Sequence, residues 1–353
     1  MKLFTLSKKL MGSLLAFSIL VACQQTTKNS TEITVSGSID QNTVWKSNTT
    51  YILDQQVTVN SGATLTIEAG TVVKALPGEA PSVSMLVIAR GGKINAKGTA
   101  EHPIIFTSIN DNIDAKAGVV SALDSSDVGL WGGIIILGNA PVSLANGEED
   151  TFYLGLDPNS PSSYYGGQNA QDDSGSLEYV SIRHGGIFIG TGSESNGLTL
   201  CGVGSKTKIN NIEIFANQDD GIEFFGGNVN VSNLIVHGSG DDGIDIDEGY
   251  TGNITNFLVE LENGADSAIE ISGGQGQFSG EFNLSNGTLD GNNLEDITLY
   301  SIDKYAKGTI SGLMETNIGN STRKKNASSN VSVKMTEQSS LNDSTFSWTK
   351  TKS

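Results

Sequence analysis

The chain is poor in cysteine, proline, histidine and basic residues. Its 353 residues include two Cys, six Pro and three His, and 21 Lys and Arg stand against 39 Asp and Glu. The net charge of −18 argues against binding to nucleic acid or to anionic lipid headgroups, because a negative surface repels both. A negative net charge is compatible with cation binding. Two Cys exclude a disulfide framework, and we expect Cys201, inside a strand-like run, to be a small buried hydrophobe.

Long apolar runs are absent except near the N-terminus. Residues 10–22 are mostly apolar, too few to span a bilayer as a mature helix, and they follow three Lys residues as in a secretory signal. The run ends in Leu-Val-Ala-Cys at positions 20–23, which resembles the bacterial lipobox. We predict a signal peptide over residues 1–22 and lipid attachment, including palmitate, at Cys23. The alternative is an ordinary signal peptide with an incidental Cys.

This anchor predicts that the chain is exported and attached to a membrane through Cys23. Several acyl chains on one residue give stable anchoring. Gln24 follows the lipidated position, which resembles sorting to the outer membrane if the source is Gram-negative. Loss of residues 1–22 removes three Lys and no acids, so the charge of the exported chain changes from −18 to −21.

Glycine is abundant, with 43 residues, and part of the chain repeats. Residues 211–224, 233–246 and 256–271 align, each with an Asn and an alternating strand, an acidic turn and a second alternating strand. A period in the low twenties is the signature of a solenoid. We predict an all-β fold, a single-stranded right-handed parallel β-helix with coils of about 22–25 residues. A leucine-rich repeat is the rival fold, but its Leu spacing and helical half are absent.

Stacking of the coils predicts which side chains meet. One internal stack should contain Ile212, Leu234 and Phe257. A second should contain Ile222, Ile244 and Ile269. A hydrogen-bonded ladder at a turn should join Asn211, Asn233 and Asn256. An outward row of acids should contain Glu223, Asp245 and Glu270.

The same patterns divide the exported chain into three parts. Residues 23–44 should form a tether and N-terminal cap, and residues 45–313 the β-helix. Residues 314–353, rich in Ser, Thr and Asn, should form a loose tail or a C-terminal cap. A polar stretch near residues 146–176 should project from the solenoid as a loop. Its exposed tyrosines would suit contact with sugar, although a plain surface loop is the alternative. These tyrosines are Tyr153, Tyr164 and Tyr165.

Four strings of residues resemble a group of bacterial lipoproteins with a pectin-lyase-like β-helix, many of unknown role. The resemblance covers about residues 45–313. It implies the fold and says almost nothing about a reaction. The strings are Gly-Thr-Val-Val-Lys at 70–74, Ala-Lys-Gly-Thr-Ala-Glu-His-Pro-Ile at 96–104, Asn-Gly-Leu-Thr-Leu at 196–200 and Asp-Asp-Gly-Ile-Glu-Phe-Phe-Gly-Gly at 219–227.

A second resemblance concerns the acidic turns. Polygalacturonase-type glycosidases carry an Asn-Thr-Asp turn and a paired Asp one coil later, and this chain has Asn-Gln-Asp-Asp-Gly-Ile at 217–222 and Gly-Asp-Asp-Gly-Ile at 240–244. The resemblance implies that Asp220, Asp241 and Asp242 serve as acid and base. Inverting hydrolysis would need carboxyl groups about 6.5–9.5 Å apart.

The chain departs from that family in its basic residues. The Gly-His-Gly and Arg-Ile-Lys strings are missing: the next coil reads Asn-Gly-Ala-Asp-Ser-Ala at 263–268, and no Arg lies between Arg183 and Arg323. A polyanionic substrate would therefore meet only negative charge. We expect no hydrolysis of polygalacturonate.

The acidic pairs of neighbouring coils also suggest a cation site. Stacked coils lie about 4.8 Å apart, so Asp219 and Asp220 should lie beside Asp241 and Asp242. Two carboxylates at about 5 Å repel by about 3 kcal/mol at an effective dielectric of 20. A bound Ca²⁺ would relieve this repulsion through carboxylate and Gly carbonyl ligands. The alternatives are a solvated acidic face and compensation by the basic pair Arg183-His184.

Together these patterns predict a cell-envelope β-helix that binds or adheres, most plausibly to a polysaccharide. A carbohydrate-active enzyme, hydrolase or lyase, is the alternative. A calcium-dependent lyase would need an Arg or Lys base, and none lies near Asp241 in the sequence. A purely structural envelope protein is the third possibility.

Overall fold

A computed structural model of the chain describes residues 31–114, 121–190, 193–338, 341 and 344–349. The predicted signal peptide and Cys23 lie outside these residues. Strands dominate, and one short 3-10 helix covers Pro161–Ser163. Within the described ranges, no helix has the length and apolar character needed to cross a membrane.

The strands are short and follow one another closely. The first eleven are β1 Thr31–Ile39, β2 Thr43–Trp45, β3 Thr49–Val59, β4 Thr64–Ile67, β5 Val72–Ala75, β6 Met85–Ile88, β7 Lys93–Lys97, β8 Ile104–Ser108, β9 Ile134–Leu137, β10 Asp150–Phe152 and β11 Tyr164–Gly166. The remainder are β12 Gly175–Arg183, β13 Phe188–Gly190, β14 Ser193–Glu194, β15 Leu198–Cys201, β16 Lys208–Asn217, β17 Ile222–Phe225, β18 Asn230–Ser239, β19 Ile244–Asp247, β20 Asn253–Glu260, β21 Ser267–Ile271, β22 Phe282–Asp290, β23 Thr298–Ile302, β24 Gly308–Thr316, β25 Arg323–Asn326 and β26 Val331–Met335.

The strands of successive coils pair in parallel, and the predicted right-handed parallel β-helix is confirmed. From the middle of the chain onward each coil has a long strand and a short strand. The long strands pair in the order β12, β16, β18, β20, β22, β24, β26. The short strands pair in the order β9, β15, β17, β19, β21, β23, β25.

The register puts equivalent residues of the repeats directly over one another. Both predicted internal stacks are confirmed, because their members pair between neighbouring strands and are fully buried. Period-two alternation sends the residues between them to the outer face. Each buried Leu, Ile or Phe contributes about 1.5–3 kcal/mol, so the interior of stacked side chains holds the coils together.

Four of the long strands, β16, β18, β20 and β22, bend at an Asn in the left-handed region, with φ of +54° at Asn211 and Asn233, +57° at Asn256 and +56° at Asn286. Asn enters this region more readily than most residues. Nδ2 of Asn256 donates to Oδ1 of Asn233 at 3.1 Å, and Asn286 donates to Asn256 at 3.4 Å. The predicted ladder is confirmed between Asn233 and Asn256, and one further step to Asn286 extends it. It is wrong at Asn211, because Asn233 donates instead to Oδ1 of Asn210 at 2.9 Å.

The solenoid extends beyond both ends of the predicted β-helix of residues 45–313. Strand β1 pairs with β3 inside the expected tether of residues 23–44. Strands β25 and β26 pair with β23 and β24 inside the expected tail. Trp348, 3% exposed, packs edge-on against Tyr179 with ring centroids 5.5 Å apart. Most side chains of β25 and β26 are exposed, which is why the sequence left a loose tail and a C-terminal cap as alternatives here.

The stretch at residues 146–176 does not project from the solenoid. Strands β10 and β11 form an antiparallel pair. Tyr153 and Tyr165 are only 4% and 3% exposed, and their ring centroids lie 5.8 and 6.2 Å from that of Phe225 on the outer face of β17. The expectation of exposed tyrosines is therefore wrong for these two, because apolar side chains on that outer face need cover. Tyr164 is half-buried.

Candidate functional site

A cleft of about 820 Å³ lies between the outer face of the short strands and the chain that folds back over it. Its lining includes seven carboxyl groups and five aromatic rings, but no Lys, Arg or His among the described residues. The acids are Glu194, Asp219, Asp220, Glu223, Asp241, Asp245 and Glu248. The aromatic residues are Phe152, Tyr153, Tyr165, Phe188 and Phe225.

The four acids predicted from the sequence, which we call the turn acids, lie together as expected: Asp219, Asp220, Asp241 and Asp242. Oδ1 of Asp220 accepts the backbone N–H of Asp242 at 2.9 Å. Oδ1 of Asp242 accepts the backbone N–H and the hydroxyl of Ser267, at 2.8 and 2.5 Å. The second acid of each pair therefore links its coil to the next.

The glycine after each acidic pair is required by packing. A Cβ on Gly221 would lie 2.5 Å from Cγ1 of Val236, and one on Gly243 would lie 2.4 Å from Cγ1 of Val259. Because both contacts are with buried side chains beside backbone carbonyls, a larger residue would push the turn outward. The Asp-Asp-Gly string thus combines a capping carboxylate with a turn that can pack tightly.

The turn acids differ in how they face the cleft. Asp219 is half-buried and Asp241 exposed, and both line the cleft together with Asp220. Asp242 is 2% exposed and does not line it. Oxygen atoms of Asp219, Asp220 and Asp241 lie within 4.8 Å of one another, and those of Asp241, Asp242 and Asp266 form a second such group. These are oxygen sets of the kind that a hard cation prefers.

A deeper group, which we call the inner cluster, consists of Asp220, Glu223 and Asp245. Its carboxylate oxygens also lie within 4.8 Å of one another. Glu223, Asp245 and Glu270 pair in register, so the predicted row of acids is confirmed. The row is half-buried rather than fully open to solvent, because folded-back chain covers part of the outer face.

Burial and mutual repulsion raise the pKa values of these groups. Burial raises the pKa of Asp219 to about 7, with added repulsion from Glu194 and Asp241. Burial likewise raises the pKa of Glu248 to about 7 and that of Asp242 to about 8. All three members of the inner cluster have pKa values well above the usual range, again mainly because burial disfavours the charged form. Each of these groups therefore keeps its proton to a higher pH than an exposed carboxyl group would.

The basic residues Arg183 and His184 contact groups outside the cleft. Arg183, 1% exposed, donates from Nε to the hydroxyl of Ser181 at 2.7 Å and forms an ion pair with Glu213 at 3.2 Å. His184 places Nδ1 2.6 Å from the carbonyl oxygen of Asp127, and burial lowers its pKa. Neither residue lines the cleft. The alternative that this pair compensates the negative charge of the turn acids is therefore wrong.

Sequence reasoning missed the residues that come from loops. Glu194 ends the β13–β14 hairpin, and Glu248 follows β19 with φ of +51°. Glu248 accepts the Tyr165 hydroxyl at 3.0 Å. Leu154 and Phe188, 60% and 47% exposed, lie at the cleft. None of these four residues repeats from coil to coil, so the period that revealed the turn acids gave no signal for them.

Most of the chain matches one known family. The model of that family, described as a pectate-lyase like beta helix domain, matches residues 37–346. Neither the search of curated proteins nor the search of solved structures found a match.

Proposed function

The chain belongs to the family of pectate-lyase-like β-helix domains, and on that premise we propose that it is a polysaccharide-binding protein of the cell envelope. A carbohydrate-related role fits this family. The observation that carries the proposal is the cleft of about 820 Å³ on a rigid solenoid, with aromatic rings beside hydrogen-bonding carboxyl groups. Ligand clefts are typically about 300–1,000 Å³ in volume.

The composition of the cleft suits a saccharide. Pyranose rings present hydroxyl groups at their edges and C–H groups on their faces. The carboxyl groups can accept hydrogen bonds from the hydroxyls, while exposed apolar side chains such as Phe188 and Leu154 can contact a ring face. Tyr164 is the least buried of the three tyrosines of the folded-back stretch, but it does not line the cleft.

Calcium is the cation that we propose for the turn acids Asp219, Asp220, Asp241 and Asp242. The supporting observation is the crowding of their oxygens within 4.8 Å in two overlapping groups. Calcium should raise the melting temperature of the wild type, and the double variant Asp241→Asn/Asp242→Asn should abolish that rise. If calorimetry detects no calcium binding at millimolar concentration, these acids form a solvated face.

Polysaccharide binding is tested on a glycan array with the full-length chain. Phe188→Ala should lose most of the signal, because Phe188 lines the cleft. Tyr305→Ala is the matched control, since Tyr305 is also 47% exposed but does not line the cleft. If the wild type gives no signal on the array, the proposal is wrong. Equal losses in both variants would show that the binding surface is not the cleft.

A carbohydrate-active enzyme remains the second candidate, because the raised pKa of Asp219, about 7, suits a general acid or base near neutral pH. Asp220 and Asp241, carried over from the glycosidase resemblance, line the same cleft, whereas Asp242 does not. The test is a reducing-sugar assay on polygalacturonate beside neutral polymers. We expect no release from polygalacturonate. Release that disappears in Asp241→Asn would make the protein an enzyme, hydrolase or lyase.

A further inference from the structure

The inner cluster contains a carboxylate oxygen that lacks a partner. Oδ1 of Asp245 is buried and makes no hydrogen bond with any described residue. A buried acceptor without a donor is unfavourable, because it has lost its hydrogen bonds to water. Since Asp245 lines the cleft, a ligand that donates a hydrogen bond there would remove this cost.

Described residues donate few hydrogen bonds to the other carboxylate oxygens of the inner cluster. Nδ2 of Asn196 donates to Oε2 of Glu223 at 2.5 Å, and the backbone N–H of Asp242 donates to Oδ1 of Asp220 at 2.9 Å. No basic side chain of the described chain lines the cleft. A ligand that brings both hydrogen-bond donors and positive charge would therefore suit these acids.

Aromatic rings lie beside the same carboxylates. Tyr153 and Tyr165 pack around Phe225, and Phe188 is exposed at the cleft. The negative faces of such rings attract an organic cation. Calcium, in contrast, prefers six to eight oxygen ligands, more than the three carboxylates of the inner cluster bring together. An ammonium group, with three donors and one charge, fits the inner cluster better.

We propose that the polysaccharide bound in this cleft contains amino sugars with free amino groups, and that Glu223 and Asp245 bind their ammonium groups. This inference rests on the proposed function, since it names the class of saccharide that the same cleft takes. The exposed side chains of Leu154 and Phe188 contact the faces of the sugar rings, while the carboxylates receive the N–H donors.

Calorimetry at pH 7 with the full-length chain tests the inference, using three β-1,4-linked hexasaccharides of glucosamine, N-acetylglucosamine and glucose. We expect the glucosamine oligomer to bind about ten-fold or more tightly than the other two, as a charge-assisted hydrogen bond would give. The double variant Glu223→Gln/Asp245→Asn should lose this preference. It should still fold, because it removes repelling charges.

A matched control carries Glu281→Gln and Asp296→Asn, which remove two charges from exposed ion pairs outside the cleft. It should keep the preference. Loss of preference in the control as well would mean unspecific attraction to an acidic protein and would overturn the inference. Equal affinity for all three oligomers, or no glucosamine binding beside a positive glycan array, would overturn it and leave polysaccharide binding intact. If calorimetry detects no binding and the glycan array also gives no signal, both the amino-sugar inference and the proposed polysaccharide binding are wrong.

Discussion

Single asparagines connect neighbouring coils at the bends of the long strands. Asn233 accepts a hydrogen bond from Asn256 and donates one to Asn210, at a φ of +54°. Asn233→Leu should therefore lower the unfolding free energy by about 2–5 kcal/mol, the sum of the lost amide bonds and the strain of a left-handed Leu. Chemical denaturation measures this loss.

Asn233→Gly separates the two contributions, because Gly adopts a positive φ without strain. It should lose only the hydrogen bonds, about 1–3 kcal/mol, and so remain more stable than the Leu variant. A Leu variant with the denaturation midpoint of the wild type would show that the ladder contributes nothing.

The raised pKa values of the cleft predict how stability depends on pH. Carboxyl groups titrate near pH 4 in the unfolded chain, whereas the pKa values of Asp219 and Glu248 are about 7 in the folded one. Between these values the folded state binds more protons than the unfolded state, so the unfolding free energy falls as pH rises. In the absence of calcium, the melting temperature should be several degrees lower at pH 8 than at pH 5.

Asp219→Asn/Glu248→Gln should reduce that dependence, since the amides do not ionise. In the wild type, calcium should restore part of the stability that is lost between pH 5 and pH 8, because the carboxylates are charged at pH 8 and can bind it. A melting temperature that rises from pH 5 to pH 8 would contradict the burial of these groups.

At the scale of the element, the folded-back stretch around β10 and β11 forms one wall of the cleft. Tyr153 belongs to the apolar cluster beneath it, while Tyr164 remains half-buried. Tyr153→Ala should therefore cost about 3 kcal/mol or more, and Tyr164→Ala under about 1 kcal/mol. Thermal denaturation of the two variants compares them, and equal costs would mean that the stretch does not pack on the solenoid.

The repeating elements were predictable and the walls of the cleft were not. A coil period in the low twenties determines which residues stack, so both internal stacks and the row through Glu223 and Asp245 followed from the sequence. The folded-back stretch packs through Tyr153, Tyr165 and Phe225, which share no period and lie far apart in the chain. Its polar composition suggested an open loop, although its few aromatic residues determine its position.

At the scale of the whole molecule, we expect attachment to a membrane. The short apolar run and the Leu-Val-Ala-Cys string at 20–23 motivate lipidation at Cys23, so metabolic labelling with a clickable fatty acid should mark the wild type. Cys23→Ala should carry no label. Cys201 is the internal comparison, because it is fully buried and Cys201→Ala should label as the wild type does. Equal labelling of wild type and Cys23→Ala would remove the anchor.

The central claim is that the cleft between the folded-back stretch and the short strands binds polysaccharide. Hydrogen–deuterium exchange on the full-length chain, with and without a saturating amount of the glycan that gives the strongest array signal, tests it most directly. We predict slower exchange at residues 150–166, 188–190, 193–194 and 219–248, and unchanged exchange in β1 and β26 at the two ends of the solenoid. Protection confined to those ends would contradict it.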